Sequence, residues 1–189
     1  MKLAKSEVPK RVSVKVNRNI RQHEGVNGIM LFGEKNDYPQ VIENIILSSV
    51  TAKATAGIYA KFLAGKGFTP EMNAAFVGID QFGADITLFD LLCDACYDLA
   101  KFNGAFIHSN LNLNFEIVNA KSMPFKYGRI AAVDESGYAA KIGIYNNWDK
   151  DKDLKYDESK IRFYNVFSSK REVFNAQIAA LDGNIEKYA

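Results

Sequence analysis

The chain has 189 residues, of which 48% are hydrophobic, and 24 basic against 22 acidic side chains leave a formal net charge of +2. That length and apolar share are enough for a real core in one domain, or one domain with an appendage, and exclude wholesale disorder, while so even a charge balance does not by itself mark a nucleic-acid binder. No apolar run approaches the roughly 18 residues that span a bilayer, the charged start Met1-Lys2-Leu3-Ala4-Lys5 lacks a signal core, and Cys93 and Cys96 make no disulfide framework, so a soluble, unsecreted protein of a reducing compartment is expected.

Residues 1–27 are polar and basic, with Lys2, Lys5, Lys10, Arg11, Lys15, Arg18 and Arg21 opposed only by Glu7 and Glu24. Val12, Val14 and Val16 alternate with polar neighbours, which allows a short strand. A charge run of this kind reads first as a solvated arm or edge strand. Its sharper reading is nucleic-acid binding through Lys10, Arg11, Lys15, Arg18 and Arg21, because cations on phosphates release counterions and bind without sequence preference.

Gly28 to Phe32 reads as a strand and Gly33 to Asp37 as a turn. Pro39 suits the start of a helix, where its missing N–H is harmless, and Val41, Ile42, Ile45 and Ile46 then fall on one face that the helix is expected to bury. Ser48 or Ser49 can cap a second helix with Ala52, Ala56, Tyr59 and Leu63 as its stripe, closed by Gly65 as a left-handed cap residue. Its alanine-rich face would let another backbone approach closely, inside the core or across a subunit boundary.

Residues 69–85, with Pro70, Gly78 and Gly83, read as a packed surface loop. Thr87 and Asp90 have the spacing of a capping box, and Leu88, Leu91, Leu92, Ala95, Leu99 and Phe102 recur at threes and fours until Asn103-Gly104 ends the helix. The period then changes. Ala105 to His108 and Phe115 to Val118 flank the Asn110, Asn112 and Asn114 stretch as one hairpin, and Arg129 to Val133 and Tyr138 to Tyr145 flank Asp134-Glu135-Ser136-Gly137 as another. Asn146 to Lys160 is charged and expected as an exposed loop, Arg162 to Val166 as a further strand, and Glu172 to Leu181 as a helix ending at Asp182-Gly183.

Several chemical motifs come close and fail. Cys93-Asp94-Ala95-Cys96 lies inside a helix, not at the strand-to-helix turn of a redox site, and the only histidines, His23 and His108, do not complete a zinc set. Gly65-Lys66-Gly67 lacks both the earlier glycine of a phosphate loop, where Ala60 stands, and the following Ser or Thr. Asp149, Asp151 and Asp153 match the first, third and fifth positions of a calcium loop, but Leu154 replaces its glycine and Lys160 its closing glutamate. A surface cation or carboxylate site among Asp149, Asp151, Asp153 and Asp157 is what remains of that pattern. No nucleophile elbow or triad is present, and the residues predict an α+β fold, N-terminal helices packed with an antiparallel sheet of short hairpins, with no enzyme activity, metal or cofactor.

Asn36-Asp37-Tyr38-Pro39, the Ser48-Ser49 break, Tyr59-Ala60-Lys61-Phe62-Leu63 and Gly65-Lys66-Gly67-Phe68 together resemble the N-terminal part of tailed-bacteriophage portal proteins, the head-to-tail connectors. Leu92 to Leu99 followed by Phe102-Asn103-Gly104-Ala105-Phe106 is similar to that family's helix leading into the wing sheet. Met123-Pro124-Phe125 with Arg129-Ile130, and Ile144-Tyr145-Asn146-Asn147-Trp148, continue the series, which covers roughly residues 28–180. The resemblance implies a non-enzymatic subunit of a ring, usually of twelve copies, at one capsid vertex of the virion, assembled in the host cytoplasm. Such a ring passes double-stranded DNA and meets terminase, capsid and tail-connector proteins.

Family members run to several hundred residues, so residues 28–189 are expected to correspond to a wing-like domain without stem, clip and crown, preceded by the arm of residues 1–27. A stand-alone α+β module that uses the basic arm to hold nucleic acid or an acidic partner is the other reading.

Overall fold

Asn36 closes a turn on Gly33, and Pro39 follows in the first turn of a helix, so the chain enters helical structure from a fixed direction. The structure is a computed structural model that describes residues 23–24, 28–33, 35–112, 114, 116–133, 139–150, 156–168 and 170–179. A ribbon of β1 (His23–Glu24) and β2 (Met30–Leu31) leads into α1 (Tyr38–Ser48) and α2 (Val50–Ala64). Then come a single turn of helix, α3 (Pro70–Asn73), the hairpin β3 (Phe76–Ile79) and β4 (Asp85–Thr87), and α4 (Leu88–Phe102). The hairpin β5 (Phe106–Leu111) and β6 (Ile117–Met123) follows, then β7 (Gly128–Val133), β8 (Ala139–Ile144), β9 (Arg162–Asn165) and α5 (Arg171–Ala179). The class is α+β.

Among the described residues all strand pairings are antiparallel, and β7, β8 and β9 lie side by side in that order. Ile29 bridges Ala131, which ties the N-terminal ribbon to the β7 edge. The principal core is small: Ile29, Leu31, Ala131, Trp148, Tyr156 and Ile161, with Tyr145 packed against it.

The helices are punctuated as their sequences ask. Ser49, not Ser48, caps α2 by accepting the Ala52 N–H at 3.2 Å. The Thr87–Asp90 capping box of α4 is complete, and Asn103 ends that helix in the left-handed conformation with φ 58°. Gly65 does end α2 with a positive φ of 56°, but its ψ of −130° is not the left-handed helical value, a backbone combination that suits glycine.

Several expectations are corrected. The apolar residues of α1 do not form a buried stripe: Pro39 is buried, Ile42 and Ile46 are half-buried, and Val41 and Ile45 are exposed. In α2 the buried stripe is Ala56, Ala60 and Ala64, a straight four-residue repeat packed on α4, while Tyr59 and Leu63 point outward. The alanine face is therefore used within the chain.

Residues 69–85 are α3 and a hairpin, because Asp80 accepts the N–H groups of Phe82 and Ala84 and Gly83 supplies φ 84° for a tight turn. Finally, the charged stretch after residue 146 sends Trp148 and Tyr156 into the core. Strands β5 and β6 both run past their expected ends, so Asn110 lies in β5, and Asn112 Oδ1 accepts from the N–H of Asn114 and Glu116 in the connection. The Val12 to Val16 strand, the residue 134–138 turn and the Asp182-Gly183 stop lie outside the described residues.

Candidate functional site

Arg129 stands in an otherwise apolar strand and is fully buried. A buried guanidinium requires hydrogen-bond acceptors for its fork of donors. It finds them in Asn36 Oδ1 at 2.5 Å, the Asn36 carbonyl at 2.7 Å, the Gly128 carbonyl at 2.8 Å and the Lys126 carbonyl at 3.1 Å. Its plane lies 4.7 Å from the Phe32 ring and 5.2 Å from that of Trp148. Among the described residues no carboxylate is in ion-pair range of it. Burial pulls the guanidinium down to about 9, against the weaker pull of Tyr156, Asp149 and Asp37, and it stays charged at neutral pH.

Asn36 is equally buried, with φ 55°, and its amide donates to the Tyr156 hydroxyl at 2.9 Å. Trp148 donates from Nε1 to the Tyr127 carbonyl at 2.8 Å and meets Tyr145 and Tyr156 edge-on. Next to this network Phe125 is stacked by Phe32, Phe102 and Phe106, with ring centres 4.9–5.4 Å apart. Asn36, Phe102, Phe106, Phe125, Arg129, Tyr145 and Trp148 come from four separated stretches and form one contiguous cluster. It positions backbone and contains no nucleophile or acid–base pair. Tyr156 is the member that sequence reading missed; its only signal was an aromatic among charges.

The second feature is on the outside. Ile58 and Phe62, one turn apart on the face of α2 opposite the alanines, are 70% and 80% exposed, and Val50 at the start of the helix is 87% exposed. Leu47, Tyr59 and Phe68 are exposed as well. A single copy leaves the Ile58 and Phe62 side chains in water, and exposed apolar groups that sit together mark an interaction surface.

Residues singled out for chemistry are scattered. Cys96 is buried and Cys93 half-buried on α4, and burial, followed by the nearby Cys96, pushes the Cys93 thiol up, which suits a packed and not a reactive thiol. His108 packs edge-on against Tyr164 at 5.0 Å, and burial followed by Lys121 lowers its pKa. His23 lies in β1. Gly67 is a tight crossing, where an added Cβ would meet Asn73 Oδ1 at 2.5 Å and the Phe89 ring at 2.7 Å.

Asp149 is exposed, and Asp157 accepts from Ser159 and Lys160. Asp151 and Asp153 lie outside the described residues. Among the described residues no group of three or more His, Cys, Asp or Glu is placed to hold a metal. No described helix is long and apolar enough to cross a membrane. A cleft of about 540 Å³ between β5 and the β7–β9 sheet is lined mainly by apolar residues such as Phe106, Ile130, Ile142 and Phe163, with His108, Ser109, Asn165 and Gln177 among its polar members. Lys10, Arg11, Lys15, Arg18 and Arg21 lie outside the described residues.

No protein-family model matches the chain, and neither a curated protein sequence nor a solved structure does.

Proposed function

We propose that the chain is a non-enzymatic assembly subunit of the portal type, the wing-like part of a ring at a capsid vertex through which double-stranded DNA is packaged and to which the tail attaches. The observation that carries this reading is the outward face of α2. Its inner face is already satisfied by α4, so Ile58, Phe62 and Val50 are surplus to the fold of one chain. Repeated contact between copies is one physical means of covering such a surface, and closed rotation of a repeated contact makes a ring.

The resemblance supplies the kind of assembly. Some of its motif residues, Asn36, Phe102, Phe106, Phe125, Arg129 and Trp148, are neighbours in space, which supports it, since motif residues that serve one fold should meet. Tyr59, Phe62, Leu63 and Phe68 stand apart on the surface. Terminase, capsid and tail-connector proteins are the partners under this reading, the location is the virion, and no cofactor is required.

Light scattering over a range of protein concentrations at low and high salt tests it. A discrete species many times the 21.1 kDa chain mass supports the reading. A monomer at every concentration and salt overturns self-assembly for this chain.

A further inference from the structure

Charge is segregated along the chain around α4. From Asn44 to Pro70 there are three lysines, Lys53, Lys61 and Lys66, and no acidic residue. From Glu71 to Ala100 there are six acidic residues and neither lysine nor arginine. All three lysines are exposed, as are Asp85 and Asp94. Asp98 is used internally, paired with Lys101 at 2.8 Å, and Lys121 of β6 is a basic side chain near the acidic end.

The two segments also face apart. Phe89 of α4 lies over Gly67 at the end of α2, whereas Leu91 and Asp94 border a depression shared with Ile79, Ile86 and Lys121. Two residues along a helix turn its face by roughly 200°, so α4 separates α2 from the β3–β4 hairpin. That hairpin carries a second apolar surplus: Phe82 at its tip is 85% exposed, with Phe76 and Ile79 also outside.

The chain therefore presents on one side an apolar face edged by Lys61, with no acid anywhere in α2, and on the other an apolar hairpin flanked by aspartates. They cannot cover each other within one copy. A self-mating contact of either patch would set like charges together, which is unfavourable, while joining the unlike patches matches both charge and apolarity. We infer that the Phe82 hairpin of one copy docks on the Ile58–Phe62 face of α2 in the next, a heterologous head-to-tail contact. This rests on the assembly reading above and specifies its interface. Covering Phe62 and Phe82 alone removes on the order of 100–200 Å² of each from water.

The test uses two variants of the full chain in analytical ultracentrifugation. Phe62→Ser with Lys61→Glu spoils the α2 face, and Phe82→Ser with Asp85→Lys spoils the hairpin. The substituted aromatics are exposed, so circular dichroism should be unchanged; if either double variant misfolds, Phe62→Ser and Phe82→Ser alone serve as the pair. Each variant should self-associate at least roughly tenfold more weakly than the parent chain. Mixed in equal amounts they should form a one-to-one dimer through the remaining good pair of surfaces and go no further.

If the parent chain associates while the mixture stays as separate variants, or if either variant associates as well as the parent, this interface is wrong and the assembly reading survives. A parent chain that stays monomeric throughout overturns both.

Discussion

Arg129 and Asn36, 93 positions apart in sequence, are joined twice, through Arg129 Nε to the Asn36 side-chain oxygen at 2.5 Å and through Nη2 to the Asn36 main-chain carbonyl at 2.7 Å. The pair fastens the turn before α1 to strand β7. Because every acceptor is a neutral carbonyl oxygen, the charge is held by dipoles and by the Phe32 and Trp148 ring faces. Removing either partner strands the other in the interior.

Arg129→Met should therefore lower stability by about 3 kcal/mol, since it leaves buried oxygens of Asn36, Lys126 and Gly128 without donors. Arg129→Lys should recover less than half of that loss, because a compact ammonium cannot reach acceptors on both sides as the planar fork does. Urea unfolding followed by the fluorescence of Trp148, the single tryptophan, measures both. Equal stabilities for the lysine variant and the parent chain would show that charge alone, without the fork, is sufficient.

Asn36 can be dissected by the same titration. Its φ of 55° penalises any residue with a Cβ, while its side chain serves Phe32, Arg129 and Tyr156. Asn36→Gly relieves the backbone and loses the side-chain bonds, whereas Asn36→Ala does neither favour. The alanine variant should be the less stable of the two by about 1 kcal/mol. If the alanine variant equals or exceeds the glycine variant, the strained turn is not what selects the residue.

Two glycines should resist substitution for a different reason, close approach of an aromatic ring. An added Cβ at Gly104 would sit 2.8 Å from the Phe125 ring, and one at Gly128 would run into Phe106. Both rings belong to the stack on Phe125 and cannot retreat freely. Gly104→Ala and Gly128→Ala should each lower stability by about 1–3 kcal/mol. Gly57, in the middle of α2 with open space at its Cβ, is the control: Gly57→Ala should raise stability by roughly 0.5–1 kcal/mol. Thermal unfolding of the three variants side by side decides, and a stabilised Gly104→Ala chain would contradict the tight stack.

Local signals in the chain were legible where a side chain acts on its own backbone. Thr87, Asp90 and Asn103 set the ends of α4, and Ser49 the start of α2, through bonds spanning three or four residues. What sequence alone misplaced depends on partners far along the chain. Val41 and Ile45 of α1 are expected on a buried face and Tyr59 and Leu63 on the α2 stripe, yet α4 needs only the alanines, because small side chains let the two backbones close up and leave Tyr59 and Leu63 outside.

Trp148 and Tyr156 sit among charges that signal a loop, and only the carbonyl of Tyr127 and the amide of Asn36, both distant in sequence, give their polar ends a reason to be buried. Arg129 reads in the sequence only as the first charged residue of a strand and is the centre of the cluster. Residue-by-residue polarity reads an arginine as exposed, and only the acceptors contributed by Asn36, Lys126 and Gly128 reverse that.

The capping box of α4 supplies a pH-dependent prediction. Asp90 accepts from the Thr87 hydroxyl at 2.6 Å and from the Thr87 N–H at 3.0 Å, and these bonds, the hydroxyl first, hold its carboxyl below the usual 3.8. A carboxyl depressed in the folded state stabilises it fully above the unfolded value, and that contribution is lost as pH falls through the lower folded value. Thr87→Ala removes the cap and should lower stability by about 1 kcal/mol at neutral pH. Asp90→Asn keeps the shape and loses the charge, so its deficit should be smaller, as befits an exposed group in water. That deficit should hold steady from neutral pH to about pH 5 and shrink below 3.8, where the unfolded parent chain takes up a proton at Asp90, until the folded chain does so at its lower value. Urea titrations of both chains across this range check the sign. A deficit that stays constant into strong acid would mean that the carboxylate charge plays no part in capping α4.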